Sequence, residues 1–328
     1  MFPAPCWAFY DPEALEEIHL SHPVVFPGYH RGSIYPDSLP IRPHAIKGVP
    51  YRDPWGCVWE TKVTGVKGSV TTRALPDWSS FELFTAPDSS LTDGMSPLEQ
   101  DELLRHAEDC RARDALFAVS LAHGHTFLRL QDLRGYEALI FDMVDEEPRL
   151  ERLVAMVEEF NLGLVRRFLA LDPDVVMIPE DLGTQTGPLV TPEHFRRWIK
   201  PSCMRIASLP RERGILVHHH SDGCILDLVD DIVAVGVDVI NPQDLVNGIH
   251  NLRDHVKGRL SIDLDIDRQE ISVKGTPQDV DDHVRRCVME LGSHEGGLSL
   301  WYQPWPPAPL QNIRAVFTAM EKYRELYS

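Results

Sequence analysis

The sequence is short of positive charge. Its 32 Lys and Arg stand against 50 Asp and Glu, a formal net charge of −18 over 328 residues. Nucleic acids and anionic membrane surfaces are bound through clustered cations, so neither is expected as a partner. Cysteine is sparse. Cys6, Cys57, Cys110, Cys203, Cys224 and Cys287 are scattered and form no Cys-x-x-Cys, which reads as reduced, cytoplasmic usage rather than a disulfide framework. No apolar run is long enough to cross a bilayer. Met1-Phe-Pro-Ala-Pro5 lacks the basic-then-apolar order of a signal peptide. No Gly-x-Gly-x-x-Gly opens a helix and no P-loop occurs, so no nucleotide cofactor is expected.

What is there is a core-forming chain, 43% hydrophobic, with a strand–helix rhythm from Ala115 onward. Apolar runs predict strands at Leu116–Ser120, Asp174–Pro179, Ile215–His219, Asp238–Asn241, Arg259–Ile262 and Leu298–Trp301. Helical patterns cover Arg149–Ala170, Thr191–Leu209, Cys224–Val235, Pro277–Leu291 and Pro309–Tyr327, two of them opened by Thr-Pro. Strands alternating with helices imply a parallel sheet in an α/β fold. An eight-stranded barrel needs two more strands, which would have to lie in the N-terminal third; a doubly wound open sheet is the alternative. Upstream, Asp11-Pro12 starts a short helix, and residues 53–60 and 68–73 read as a β-hairpin. The expected organisation is one domain, 1–328, with an irregular N-terminal extension and hairpin over 1–110 and the main barrel over 111–328. The Pro- and aromatic-rich N-terminal third leaves a homodimer open.

The densest chemistry is Gly214-Ile-Leu-Val-His-His-His-Ser-Asp-Gly223. It lies where a buried strand meets a loop before a helix, the end of a parallel strand where active sites are built. A period of two puts His218 and His220 on one side and His219 on the other. His220 and Asp222 could then converge on a metal, a proton or a substrate oxygen. The other strand ends supply His123 and His125, Glu180, Asp181 and Gln185, Asn241 and Gln243, Asp263, Asp265 and Asp267, then Tyr302, Gln303 and Trp305. Each has a plainer role open to it. Glu180 and Asp181 could cap a turn, Asn241 and Gln243 could satisfy loop backbone, and the tryptophans could simply pack. Their collection at strand ends favours an enzyme.

His220-Ser-Asp-Gly223, Gly236-Val-Asp-Val-Ile-Asn-Pro-Gln243 and Leu298 to Pro309 followed by Gln311-Asn-Ile313 resemble the uroporphyrinogen decarboxylase superfamily, as do Glu180 to Gln185 and the Gly275-Thr-Pro277 helix start. The resemblance covers roughly residues 115–328 and implies a (β/α)8 TIM barrel with its cleft at the strand carboxyl ends. The Arg-Gln-Ala-Gly-Arg type motif of the true decarboxylases is absent, so the chain is closer to the branch of corrinoid-dependent methyltransferases. Those bind zinc with a His-x-Cys pair and a later Cys. Here the pair reads His220-Ser221-Asp222 and the later position falls at Gln303, so both thiolates are replaced by oxygen-bearing residues. The resemblance therefore implies a harder site, with zinc at His220, Asp222 and Glu180, suited to polarising an ether or hydroxyl oxygen. Asp181, Gln185, His219, Gln243, Tyr302, Gln303 and Trp305 would bind a small-molecule substrate. The nearest thing to the corrinoid signature Asp-x-His-x-x-Gly is Asp281-Asp-His-Val-Arg-Arg286, which lacks the Gly, so the corrinoid would come with a partner protein. The expected activity is demethylation of a small methoxy or methylated compound. The alternatives are a cofactor-free carboxy-lyase with His220 as general acid, and a barrel that binds a ligand without catalysis.

Overall fold

The computed structural model describes residues 9–33 and 41–327; Cys6 and the Met1 to Pro5 stretch lie outside them. Among the described residues the chain forms two sheets. Tyr51–Arg52 (β1), Val58–Glu60 (β2) and Ser69–Thr72 (β3) pair antiparallel. Ala118–Ser120 (β4), Val175–Met177 (β5), Leu216–Ser221 (β6), Val239–Pro242 (β7), Ser261–Asp265 (β8) and Leu298–Trp301 (β9) make a parallel sheet in strict sequence order.

That order decides between the two architectures. A doubly wound sheet reverses direction at a switch point, whereas here every crossover steps the same way, as in a barrel. Each of the six predicted strands is found. The two extra strands expected in the N-terminal third are not in the parallel sheet among the described residues. β1 to β3 pair with one another instead, and β3 is largely exposed, whereas a parallel strand must be covered on both faces. The hairpin is β2–β3, and Asp53 to Cys57 is a turn that adds β1 to it.

Helix starts follow the capping residues. Thr276 and Asp279 form a reciprocal capping box at Pro277–Leu291, and Asp11 accepts the Ala14 N–H at Pro12–Ser21. Two predicted helices differ. The segment after Thr191 is helical through Arg211 but contains a π-type turn over Phe195–Ile199, where Pro201 offers no N–H to continue the regular ladder. The helix expected from Cys224 begins later, as a 3-10 turn at Leu226–Leu228 and an α-helix over Val229–Val235. The Cys224 and Ile225 N–H groups are already taken by the Thr184 carbonyl and the Asn247 side chain. No helix is long and apolar enough to cross a membrane among the described residues. The described cysteines are free thiols.

The Pro12–Ser21 helix carries a buried imidazole. His19 donates from Nδ1 to the Leu15 carbonyl (2.9 Å) and lies between Phe26 and Tyr29. Burial lowers its pKa from 6.5 to about 4. The unfolded chain therefore takes up this proton first, so the contribution is intact above the unfolded value and is lost as the pH falls towards the folded one. A His19→Leu variant should lose less stability than wild type between about pH 7.5 and about pH 5, with a slope difference of up to ~1.4 kcal/mol per pH unit. Urea midpoints at the two pH values check this, and parallel losses would contradict it.

Candidate active site at the strand carboxyl ends

Two glycines set the site's frame. A Cβ on Gly223 would sit 2.3 Å from the Gly183 carbonyl carbon, and one on Gly183 would sit 2.5 Å from Cys224 N. No side chain fits on either, so the loop after β5 lies directly on the loop after β6. This contact brings Asp181 to His220. The Asp222 N–H donates to Asp181 Oδ1 (2.9 Å), and the Ser221 hydroxyl accepts the Leu182 N–H (2.9 Å).

The cleft above these loops has a volume of about 810 Å³. His218 and His220 both line it, as their alternation along the strand predicts, together with Asp222, Gln243, Gln303 and Trp305. His220 is oriented from behind. The Asn241 amide nitrogen donates to the Asp263 carbonyl, which turns its Oδ1 towards His220 Nδ1 at 2.6 Å. An amide oxygen only accepts, so Nδ1 carries the proton and Nε2 presents its lone pair to the cleft. That nitrogen lies 3.6 Å from Asp181 Oδ1 and 3.5 Å from Asp222 Oδ1. Burial lowers the His220 pKa, against the pull of Asp222 and Asp181.

The first strand end completes the cluster. His123 Nε2 is 3.1 Å from Asp181 Oδ1, and its ring is 5.6 Å from that of His220. Burial works to raise the Asp181 pKa, but the hydrogen bond and charge of His123, the Asp222 N–H and His220 outweigh it and hold the carboxyl at about 2. Burial works to lower His123, and Asp181 overcomes it so that its pKa is raised. The donor atoms of His123, Asp181 and His220 all lie within 4.8 Å of one another. Two imidazole nitrogens and one anionic oxygen are a donor set that fits zinc.

Some expected site residues stand elsewhere. Glu180 does not join His220 and Asp222. It is buried, and its carboxylate accepts the N–H groups of Thr126 (2.6 Å), Phe127 (3.0 Å) and Leu128 (2.9 Å), the open end of the helix Phe127–Arg134. Burial raises its pKa to about 7 despite these donors. His219 faces away from the cleft, buried, donating from Nδ1 to the Ile178 carbonyl (2.9 Å). Tyr302 is buried against Phe317. Gln185 is exposed on the Thr184–Gly187 turn and does not line the cleft. Gln243 lines the cleft, with its Oε1 accepting the Gly223 N–H. Asp222 is gripped by Arg268 Nη2 at 2.6 Å.

The three aspartates of β8 and its loop do not share one ion. Asp263 meets His218 (3.1 Å) and Ser299 (2.7 Å), Asp265 is buried beside Arg268 (3.2 Å), and Asp267 accepts backbone N–H groups from Gln269 to Ser272. A second group of potential ligands, Asp244, His283 and Cys287, is fully buried. Its Asp244 Oδ2 and His283 Nε2 are 2.6 Å apart, a hydrogen-bond separation that ties the short helix Asp244–Asn247 after β7 to the helix Pro277–Leu291. Sequence reasoning placed His123 at a strand end without joining it to His220, and it missed Arg268. Arg268 had a legible signal, since it falls three residues after β8.

No curated protein sequence matches the chain. The structure is similar to that of a methyltransferase from Methanosarcina mazei, with a TM-score of 0.63 at 16% identity over 83% of this chain and 77% of that one. A weaker likeness, TM-score 0.45 at 12% identity over 68% of this chain and 66% of the other, is to a B12-independent methionine synthase from Shewanella sp. W3-18-1. The family model for uroporphyrinogen decarboxylase (URO-D) matches residues 130–323, more than half of the chain, which therefore belongs to the uroporphyrinogen decarboxylase family.

Proposed function

We propose that the chain is a zinc-assisted methyltransferase that removes a methyl group from a small methoxy or methylated compound, with a corrinoid on a separate protein as acceptor. The observation that carries this reading is the convergence of His123, Asp181 and His220, of which the two histidines line the cleft, with Asp222 alongside. In this reading Asp181 and His123 complete the ligand set around His220, and Glu180 remains a helix cap. Bound there, zinc would supply Lewis acidity to a substrate oxygen as its bond to the methyl carbon breaks and the oxygen keeps the electron pair. The protein's own groups do the rest. Asn241 holds His220 in the tautomer whose Nε2 faces the cleft. Arg268 anchors Asp222. Trp301 and Trp305 offer flat apolar surface beside the ligands.

The test offers zinc-loaded protein a panel of methoxy compounds with cob(I)alamin as acceptor, followed by visible absorption. A substrate-dependent loss of the reduced cobalamin band that needs zinc is the expected result. No transfer across the panel, or carbon dioxide release from zinc-free protein, contradicts it, and the second outcome would restore the carboxy-lyase.

The role of Asn241 gives a separate prediction. Asn241→Leu removes the acceptor that sets the His220 tautomer and should weaken zinc binding by about 10- to 100-fold. Asn241→Asp keeps an acceptor oxygen and should weaken it less. Competition with a chromogenic chelator measures both, and equal affinities in all three proteins would rule the role out.

A further inference from the structure

We infer that Lys67 is the recognition cation of the cleft and that the substrate it selects is a planar molecule bearing a carboxylate. The inference deepens the proposed methyl transfer and rests on that reading for the identity of the cleft as the substrate site.

Lys67 sits in the loop joining β2 to β3, where Gly65 to Lys67 line the cleft together with His220 and Trp305. The loop is held at a fixed height. A Cβ on Gly68 would lie 2.0 Å from the Glu60 carbonyl oxygen, so the residue after Lys67 packs directly on the end of β2. The ammonium stands 4.4 Å from the ring centroid of Trp59, and Trp59 is itself buried and anchored through Nε1 to Asp53 (2.9 Å). A cation over an indole face is attracted and oriented by it. The perch is therefore built by the fold and is not a freely waving surface lysine.

What the perch lacks is a counter-ion. No described carboxylate lies within 4 Å of the Lys67 ammonium. The cleft's other cation, Arg268, is already paired with Asp222 (2.6 Å) and Asp265 (3.2 Å). Burial lowers the Lys67 pKa, with Asp132 the main group opposing it. A partly desolvated cation without a partner is unfavourable, and an arriving anion relieves that cost. In a chain of net charge −18, a cleft cation with no described carboxylate within 4 Å favours holding an anion there. The charge suits one carboxylate. A doubly charged phosphate would also meet Asp222 and Asp263, which line the same cleft. Trp301, about half exposed, and Trp305 favour a flat body attached to that carboxylate.

The experiment compares para-methoxybenzoate with its neutral amide by calorimetric titration of wild type, Lys67→Met and Lys67→Arg. Met keeps the apolar stem against Trp59 and removes the charge. Wild type should bind the benzoate about tenfold or more tighter than the amide. Lys67→Met should bring the two ligands level by weakening only the benzoate, and Lys67→Arg should keep the preference. Equal affinities in wild type, binding of neither ligand, or a preference that survives in Lys67→Met overturns the inference. Zinc content is read on the same samples. Zinc retained by Lys67→Met assigns its loss of preference to the cation, whereas a benzoate preference in a wild type that holds no zinc keeps this inference and removes the metal reading.

Discussion

His220→Ala is expected to abolish zinc binding and the proposed methyl transfer together while leaving the fold intact. His220 is the donor that faces both Asp181 and Asp222, and it is the one whose tautomer is fixed by a dedicated partner. Removing its imidazole leaves His123 and Asp181, two donors already hydrogen-bonded to each other at 3.1 Å. Two ligands fall short of the three protein donors that a catalytic zinc with an open position takes, and loss of metal binding of at least about 100-fold is expected. The side chain is partly exposed at the cleft wall, so no large cavity opens in the core. An unchanged thermal midpoint in the metal-free state should accompany the loss. His219→Ala is the contrasting variant. That ring faces away from the cleft, buried against the Ile178 carbonyl, so its truncation should lower stability and leave zinc affinity nearly unchanged. If the two variants behaved alike, the assignment of neighbouring histidines to opposite sides of β6 would be wrong.

Asp53→Ala has the largest expected effect on stability. The Asp53 carboxylate is completely buried and accepts the Cys57 N–H (2.8 Å), Trp59 Nε1–H (2.9 Å) and Arg129 Nη1–H (3.0 Å). Arg129 is nearly as buried, and its next carboxylate, Asp132, is 4.0 Å away. Removing Asp53 leaves a buried guanidinium short of its partner and an indole N–H without an acceptor, at a cost of about 3–5 kcal/mol. Urea unfolding measures it. The cost comes from the charge left behind rather than from the worth of the pair, so Asp53→Leu with Arg129→Met should cost clearly less than the sum of the single variants. Additive costs would contradict this account of the pair. Because Asp53 also fixes Trp59, the single variant should loosen the perch of Lys67 and weaken any anion preference of the cleft.

The parts legible in the sequence were those written in local periodicity. Ile215 to Val217 and Val239 to Ile240 are short apolar, mostly β-branched runs of strand length, and the parallel strands follow from runs of that kind alternating with helical patterns. The alternation of His218, His219 and His220 likewise fixed which rings share a side. The parts that were not legible depend on contacts between distant segments. Glu180 reads as a ligand beside Asp181 until the helix start more than fifty residues earlier turns three N–H groups onto it. His123 joins His220 only because the β5 loop carries Asp181 between them, and that rests on the contact of Gly183 with Gly223. Lys67 looks like an ordinary polar residue in a glycine-rich turn. Its significance lies in having no described carboxylate within 4 Å, which no local pattern records.

The most direct measurement is the anomalous scattering of crystals grown with zinc, recorded on either side of the zinc absorption edge. The account predicts one strong peak within bonding distance of His123 Nε2, Asp181 Oδ1 and His220 Nε2, absent from crystals of His220→Ala. A peak at Asp244, His283 and Cys287 instead, or none at the cleft in zinc-saturated crystals, would contradict it.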